Sequence, residues 1–201
     1  MKLKTTTNIT VDGVMQGLGG SDEDRRGGFN RGGWALPLVD TETGDHINEV
    51  YGGAAAFLFG RRTYEIFARS WGTIAEMRTA PIGVALNSRP KYVVSNSITH
   101  PTWAGTTVLT GDIAAAIRDL KAKQDGELLV PGSGVLVRWL LANNLVDELE
   151  LITGPVILGQ GTRLFPDSGP DRALDLLTSR TTSGGITIQT YRLAGRPKYA
   201  T

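Results

Sequence analysis

The chain has 201 residues, 40% hydrophobic and 20% charged, a globular balance long enough to bury a substantial core. With no cysteine and only two histidines, it excludes disulfides, thiolate nucleophiles, Cys-ligated zinc and any histidine-rich metal site. A formal net charge of +1 gives no electrostatic footprint for nucleic acid, and no apolar run is long enough for a membrane span. These readings predict a soluble, cytoplasmic protein of one domain, residues 1–201, with no leader peptide and a small molecule as its partner.

In chain order, residues 3–11 are rich in Thr, Ile and Val and predict a strand ended by Asp12-Gly13. Residues 13–44 form a glycine-rich stretch, and so long a loop predicts a lid or the wall of an active site. A helix is expected over 46–53. The run Ala54–Phe59 is apolar at every position and suits a strand buried on both faces. A helix over 62–69 follows directly after Gly60. Short strands are expected at 91–95 and 107–109, then a helix opened by Asp112 with Ile113, Ile117 and Leu120 on one face and Gly126 as its stop.

Further on, a buried strand at 128–130 runs through Gly132-Ser133-Gly134 into an apolar helix, 135–142, ended by Asn143-Asn144. A strand at 148–153 and a hairpin of 173–181 with 186–193 around Gly184-Gly185 complete the chain. Strands alternate with helices through the middle, which predicts an α/β protein with a mostly parallel sheet and an antiparallel edge.

Two strand-to-helix junctions carry candidate chemistry. At the first, Gly60 lets a ligand approach the backbone, Arg61 and Arg62 offer guanidinium forks suited to phosphate, and Thr63 offers a hydroxyl. At the second, Pro131-Gly132-Ser133-Gly134-Val135-Leu136 joins a buried strand to an apolar helix, again suited to phosphate or nicotinamide. Val137 occupies the last place of a G-x-G-x-x-G pattern, and Pro131 stands where a nucleophile elbow needs glycine. Ser133 is therefore expected to cap the helix. Ser95-Asn96-Ser97 follows a further strand and is either a turn or a candidate for the same crevice, because ligands of open α/β sheets sit at the carboxyl ends of the strands.

These motifs together resemble the dihydrofolate-reductase-like family. Within it they are closest to the reductase domain of the riboflavin-biosynthesis deaminase/reductase. Val11-Asp12-Gly13 is similar to the first strand and its turn, and Trp34-Ala35-Leu36-Pro37 resembles the Trp-x-Leu-Pro segment of dihydrofolate reductases. Gly60-Arg61-Arg62-Thr63-Tyr64 resembles the element that holds NADPH phosphates, and the stretch from Gly132 through Phe165 resembles the riboflavin-type reductase signature. The resemblance implies a three-layer α/β/α sandwich, NADPH as hydride donor and a homodimer. It implies Gly60, Arg61, Arg62, Thr63, Ser95 and Asn96 at the adenosine and phosphate end, with Pro131–Leu136 near the pyrophosphate and nicotinamide.

For the substrate side, Asp40 comes one position later than the acid of dihydrofolate reductases, Asp12 is the rival carboxylate, and Thr153 precedes Phe165-Pro166 at the family spacing. His46-Ile47-Asn48-Glu49 puts Glu where the riboflavin-type segment has Arg, against a phosphoribosyl substrate. The implied activity is reduction of an aminopyrimidine or related heterocyclic or carbonyl compound. Dihydrofolate reduction, or nucleotide binding without catalysis, are the alternatives.

Overall fold

A computed structural model describes residues 1–123 and 125–200. Its strands are β1 (Lys2–Thr10), β2 (Ala56–Gly60), β3 (Lys91–Val94), β4 (Thr106–Leu109), β5 (Glu127–Pro131), β6 (Glu148–Gly154), β7 (Leu174–Thr181) and β8 (Thr187–Leu193). The helices are α1 (Thr41–Gly53), α2 (Arg61–Ser70), α3 (Ala75–Thr79), α4 (Pro81–Ser88), α5 (Ile113–Lys123) and α6 (Gly134–Ala142). The strand order is β4-β3-β2-β5-β1-β6-β8-β7, a mostly parallel sheet ending in antiparallel strands, as the alternation of elements predicts. The chain divides into two compact units, Met1–Thr5 with Gly44–Leu145, and Thr6–Thr43 with Val146–Thr201.

In the first unit β2 pairs in parallel with β3 and with β5, and β3 in parallel with β4. Every residue of β2 is buried, which is why its sequence is apolar throughout. Its Phe57 and Phe59 cluster with Tyr51, Tyr64 and Trp103, with Phe67 and Trp71 packed alongside. Their rings meet at tilted and edge-on angles, with centroids such as Phe59–Trp103 at 6.0 Å. Trp71 thus belongs to core packing.

Lys91 is fully buried beneath this cluster, yet its ammonium is satisfied. It donates to the Leu86 and Arg89 carbonyls at 2.7 and 2.9 Å and lies 5.0 Å from the Trp103 ring centre. Burial pulls its pKa below the ordinary lysine value.

Helices α3 and α4 had no counterpart in the predicted elements. Pro81 occupies the first turn of α4, where its missing N–H costs nothing. A side chain at Gly83 would overlap the Met77 carbonyl, so this glycine permits the close approach of the two helices.

In the second unit β8 pairs antiparallel with both β6 and β7, around Gly184-Gly185 as expected. The glycine-rich stretch after β1 is not an open excursion. It holds one 3-10 turn, Arg26–Gly28, and builds a small core of its own from Val14, Phe29, Trp34, Ala35 and Leu158. Buried Gln16 ties it together, donating to the Asp24 and Arg26 carbonyls and accepting from the backbone and hydroxyl of Thr162. The Trp34 indole donates to the Gln16 carbonyl at 3.0 Å.

Candidate functional site

The connection leaving β2 runs outward to β3, whereas that leaving β5 runs past β1 to β6. Between β2 and β5 the direction of winding reverses, and this is where open α/β sheets take ligands. The two junctions singled out in sequence end these two neighbouring strands.

At the first, β2 passes into α2 with no intervening loop. Gly60 is extended and α2 has neither a side-chain cap nor an acidic residue in its first turn. Arg61 and Arg62 are exposed at that turn, and Arg61 reaches Glu65 one turn on at 3.2 Å. An exposed pair of this kind holds its cation only loosely.

At the second, Gly132 and Ser133 both adopt left-handed backbone, with φ of 75° and 71°. For serine that conformation costs about 1–2 kcal/mol. Ser133 stands immediately before α6, but its hydroxyl makes no capping bond, which corrects the cap expected of it. The reason is the positive φ, which sets the side chain against Gly60 instead. A side chain at Gly60 would overlap Ser133 Oγ and come within 3.2 Å of Ser133 Cβ. The two junctions therefore abut, and a side chain at Gly60 would have to displace the Ser133 hydroxyl.

Helix α6 also starts without an acidic residue. Val135 on its first turn is 72% exposed, while Pro131 and Leu136 are buried. Leu136 thus packs inward rather than offering itself to a ligand.

Beyond the ends of β2, β3 and β4 lies a cleft of about 420 Å³ lined by Arg61, Val94, Ser95, Asn96, Ser97, Gly111 and Ile113. Ser95 Oγ accepts from the Ser97 and Ile98 amides at 3.1 and 3.0 Å, so its hydroxyl shapes the turn. The exposed Asn96 and Ser97 side chains then face the cleft. Arg61, Ser95 and Asn96 of the predicted set come together here. Gly60 and Ser133 flank one another next to it, and Arg62 and Thr63 follow on α2 without lining the cleft.

The carboxylates of the second unit have other tasks. Asp40 precedes α1 and accepts from the Thr43 amide at 2.8 Å and the Gly184 amide at 2.7 Å, capping the helix and pinning the β7–β8 turn. Hydrogen bonds from Thr182, Thr43 and Gly184 hold its carboxyl well below the usual carboxylate range. Asp12 accepts from Thr10 Oγ1 at 2.6 Å and from the Leu158 and Gly159 amides at 3.1 and 2.8 Å. These bonds, led by that from Thr10, lower its pKa to about 2. With their oxygens taken by these donors, both groups hold together the turns that carry them, and their geometry is that of anchors. Thr153 is half-buried on β6, opposite Thr187 of β8.

Sequence reasoning passed over Glu150, which is 1% exposed and accepts from Thr6 Oγ1 at 2.9 Å and Thr190 Oγ1 at 3.4 Å. The alternation Glu148-Leu149-Glu150-Leu151 gave no signal of this, because it sets Glu150 on the face opposite the leucines, yet that face is buried too. A buried carboxylate must be matched by donors from other strands, and no local pattern reveals these.

The RibD C-terminal domain family matches residues 1–188. The chain belongs to that family. The protein YyaP of Bacillus subtilis (strain 168), itself uncharacterized, is 24% identical over 195 residues, 93% of this chain and 92% of its own. A crystal structure from Shewanella sp. PV-4, provisionally named a riboflavin biosynthesis protein, superposes with a TM-score of 0.72 at 22% identity, covering 96% of this chain and 99% of that one. A pyrimidine reductase-like protein from Corynebacterium diphtheriae gives 0.63 at 15% identity, covering 96% and 91%. Dihydrofolate reductase from Enterococcus faecalis, complexed with NADP(H) and RAB-propyl, gives 0.62 at 15% identity, covering 96% of each chain.

Family and fold are thus those of reductases, and the expected dihydrofolate-reductase-like architecture holds. Among the described residues no helix is long and apolar enough to cross a membrane. Within this RibD C-terminal domain, Ser97 lines the cleft with Ser95 and Asn96, while Val94, Gly111 and Ile113 line it without having been singled out in sequence as site residues. Gly111, two residues beyond the end of β4, is a weaker form of the strand-then-glycine signal that marks Gly60, and the strand before it is only four residues long.

Proposed function

We propose that the chain is an NADPH-dependent reductase of a small heterocyclic or carbonyl compound, with an aminopyrimidine as the leading substrate class. The observation that carries this is the abutment of the two glycine junctions at the reversal of winding, beside a cleft with a cation and hydroxyl and amide groups on its wall. These residues fit an anionic dinucleotide. Both helices open without an acidic residue or a side-chain cap, so their first amides present positive potential that nothing in the first turn neutralises.

Arg61 would hold phosphate, with Arg62 and Thr63 behind it on the same turn, and Ser95, Asn96 and Ser97 would receive the adenosine end. Gly60, Gly132, Ser133 and Gly134 would give the backbone close approach, with Val135 offering an apolar contact. When bound, the cofactor supplies a hydride to an electrophilic carbon. The chain's own part is to orient and to exclude water. With Asp12 and Asp40 committed as anchors, the proton comes from water or from the substrate itself, and Thr153 is the candidate to position the substrate. The same commitment of Asp40 disfavours dihydrofolate reduction, which needs a proton on its ring.

Titration with NADPH and NADH, followed by nicotinamide fluorescence, tests the reading. Micromolar NADPH binding that weakens about ten- to a hundredfold in Arg61→Ala is expected, the loss of one charge-assisted bond. No binding of either nucleotide would overturn it. Binding without turnover of any pyrimidine, pterin or carbonyl substrate would favour a nucleotide-binding protein that kept the fold.

A further inference from the structure

Arg61 is the first residue of α2 and lines the cleft, and its guanidinium donates to Glu65 at 3.2 Å. Among the described residues neither side chain makes another hydrogen bond or ion pair. The other acid beside the cleft is differently employed. Asp112, between the lining residues Gly111 and Ile113, accepts from the Ala115 amide at 3.0 Å and caps α5.

The order of the pair runs against what α2 needs for its own stability. A cation in the first turn opposes the helix dipole, and carboxylate before cation is the stabilising arrangement. What the observed order does supply is placement. Side chains of a helix lean toward its N-terminus, so Glu65 carries its charge back to the end where uncapped amides and Arg61 would meet an anion. With side chains 48% and 38% exposed, the pair is loose enough to exchange for a stronger anion.

On the reading of this cleft as a dinucleotide site, we propose that Glu65 sets its affinity and selectivity, its carboxylate competing with the ligand's phosphate for Arg61. At a distance the carboxylate cancels the cation, so a phosphate gains fully only once it has drawn Arg61 away. Phosphate can take two parallel N–H bonds from the fork where Glu65 takes one, at Nη1, so the exchange favours the ligand. A phosphate monoester carries nearly two charges and is opposed by Glu65 more strongly than a diester. Arg61 shares a wall with Ser95 and Asn96, so the group that meets this opposition is the monoester at the adenosine end of NADPH, which NADH lacks. Glu65 therefore holds down the preference for NADPH.

Titration of the full chain with NADPH and NADH, read by nicotinamide fluorescence, tests the competition in Glu65→Gln and Glu65→Ala. Both variants are expected to tighten NADPH about three- to tenfold and NADH less, and to steepen the fall of affinity with salt. A residue that merely positioned Arg61 would be replaced by Gln without effect and by Ala with a loss. The gain is expected to shrink in an Arg61→Ala background, because competition needs the cation. Unchanged or weaker NADPH binding in Glu65→Gln, or a gain of the same size without Arg61, would overturn the proposal. Inorganic pyrophosphate, read by thermal shift, separates this outcome from failure of the cofactor reading. A wild type that binds neither nucleotide sinks that reading, while pyrophosphate stabilising Glu65→Gln at lower concentrations than the wild type upholds the competition. An equal response of the two chains to pyrophosphate would overturn it.

Discussion

The two compact units treat their turn residues in opposite ways. In the first, the polar groups at the strand ends are left available: Arg61 is exposed with one loose partner, and α2 and α6 begin uncapped. In the second, Asp12 and Asp40 are consumed by backbone amides and hydroxyls. A carboxylate in a turn looks the same in sequence whether it awaits a substrate or holds a loop shut. What separates the cases is whether its hydrogen-bonding capacity is already filled. By that criterion the first unit keeps hydrogen-bonding capacity open at its strand ends, and these two acids of the second hold shape.

The most severe way to break the contrast is Gly60→Val. Its side chain collides with Ser133, and NADPH binding is expected to weaken about a hundredfold or more, read by nicotinamide fluorescence, as a misplaced cradle forfeits several bonds at once. Gly60→Ala in a Ser133→Gly background is expected to recover most of the affinity, because the obstructing hydroxyl is gone. Failure of that rescue would place the importance of Gly60 elsewhere.

Next in size is Asp12→Ala, which orphans the Leu158 and Gly159 amides. Denaturant unfolding should show a loss of about 2–3 kcal/mol with NADPH affinity unchanged. Loss of cofactor binding at unaltered stability would reverse the assignment of anchor and site. Acid titration sharpens the same point. The Asp12 pKa falls on folding from an ordinary 3.8 to about 2, so its contribution is complete above about pH 4 and is lost as pH drops toward 2. Asp12→Asn should flatten the stability profile across that window.

The smallest expected effect is on turnover in Asp40→Asn. A modest fall in melting temperature from the weakened cap is expected, with the pH profile of any reductase activity unmoved. A profile that loses an ionisation in this variant would restore Asp40 as the acid.

The architecture was largely legible in the chain. The all-apolar run ending in Gly60, the apolar helix after Gly134 and the alternation around Gly184-Gly185 each reflect a local period imposed by burial, and periods survive without coordinates. Helices α3 and α4 were not legible, because Gly83 is required by a neighbouring helix rather than by its own backbone. The glycine-rich stretch had an ambiguous pattern for a similar reason: its core includes Leu158, from the far end of the chain.

By itself, the sequence determined where strands and helices alternate, and that Gly60 with its arginines and Gly132 through Gly134 stand at strand-to-helix junctions. Those features rest on residue type and short spacing, which carry local physics intact. Tertiary structure alone decided that the two junctions abut, that Ser133 faces Gly60 instead of capping its helix, and that Asp12 and Asp40 are spent. Beyond the local bonds from Thr10 and Thr43, the bonds that spend these carboxylates join residues 144 to 147 positions apart. A side chain's remaining capacity to bind depends on such distant donors, and only the folded chain brings them into reach.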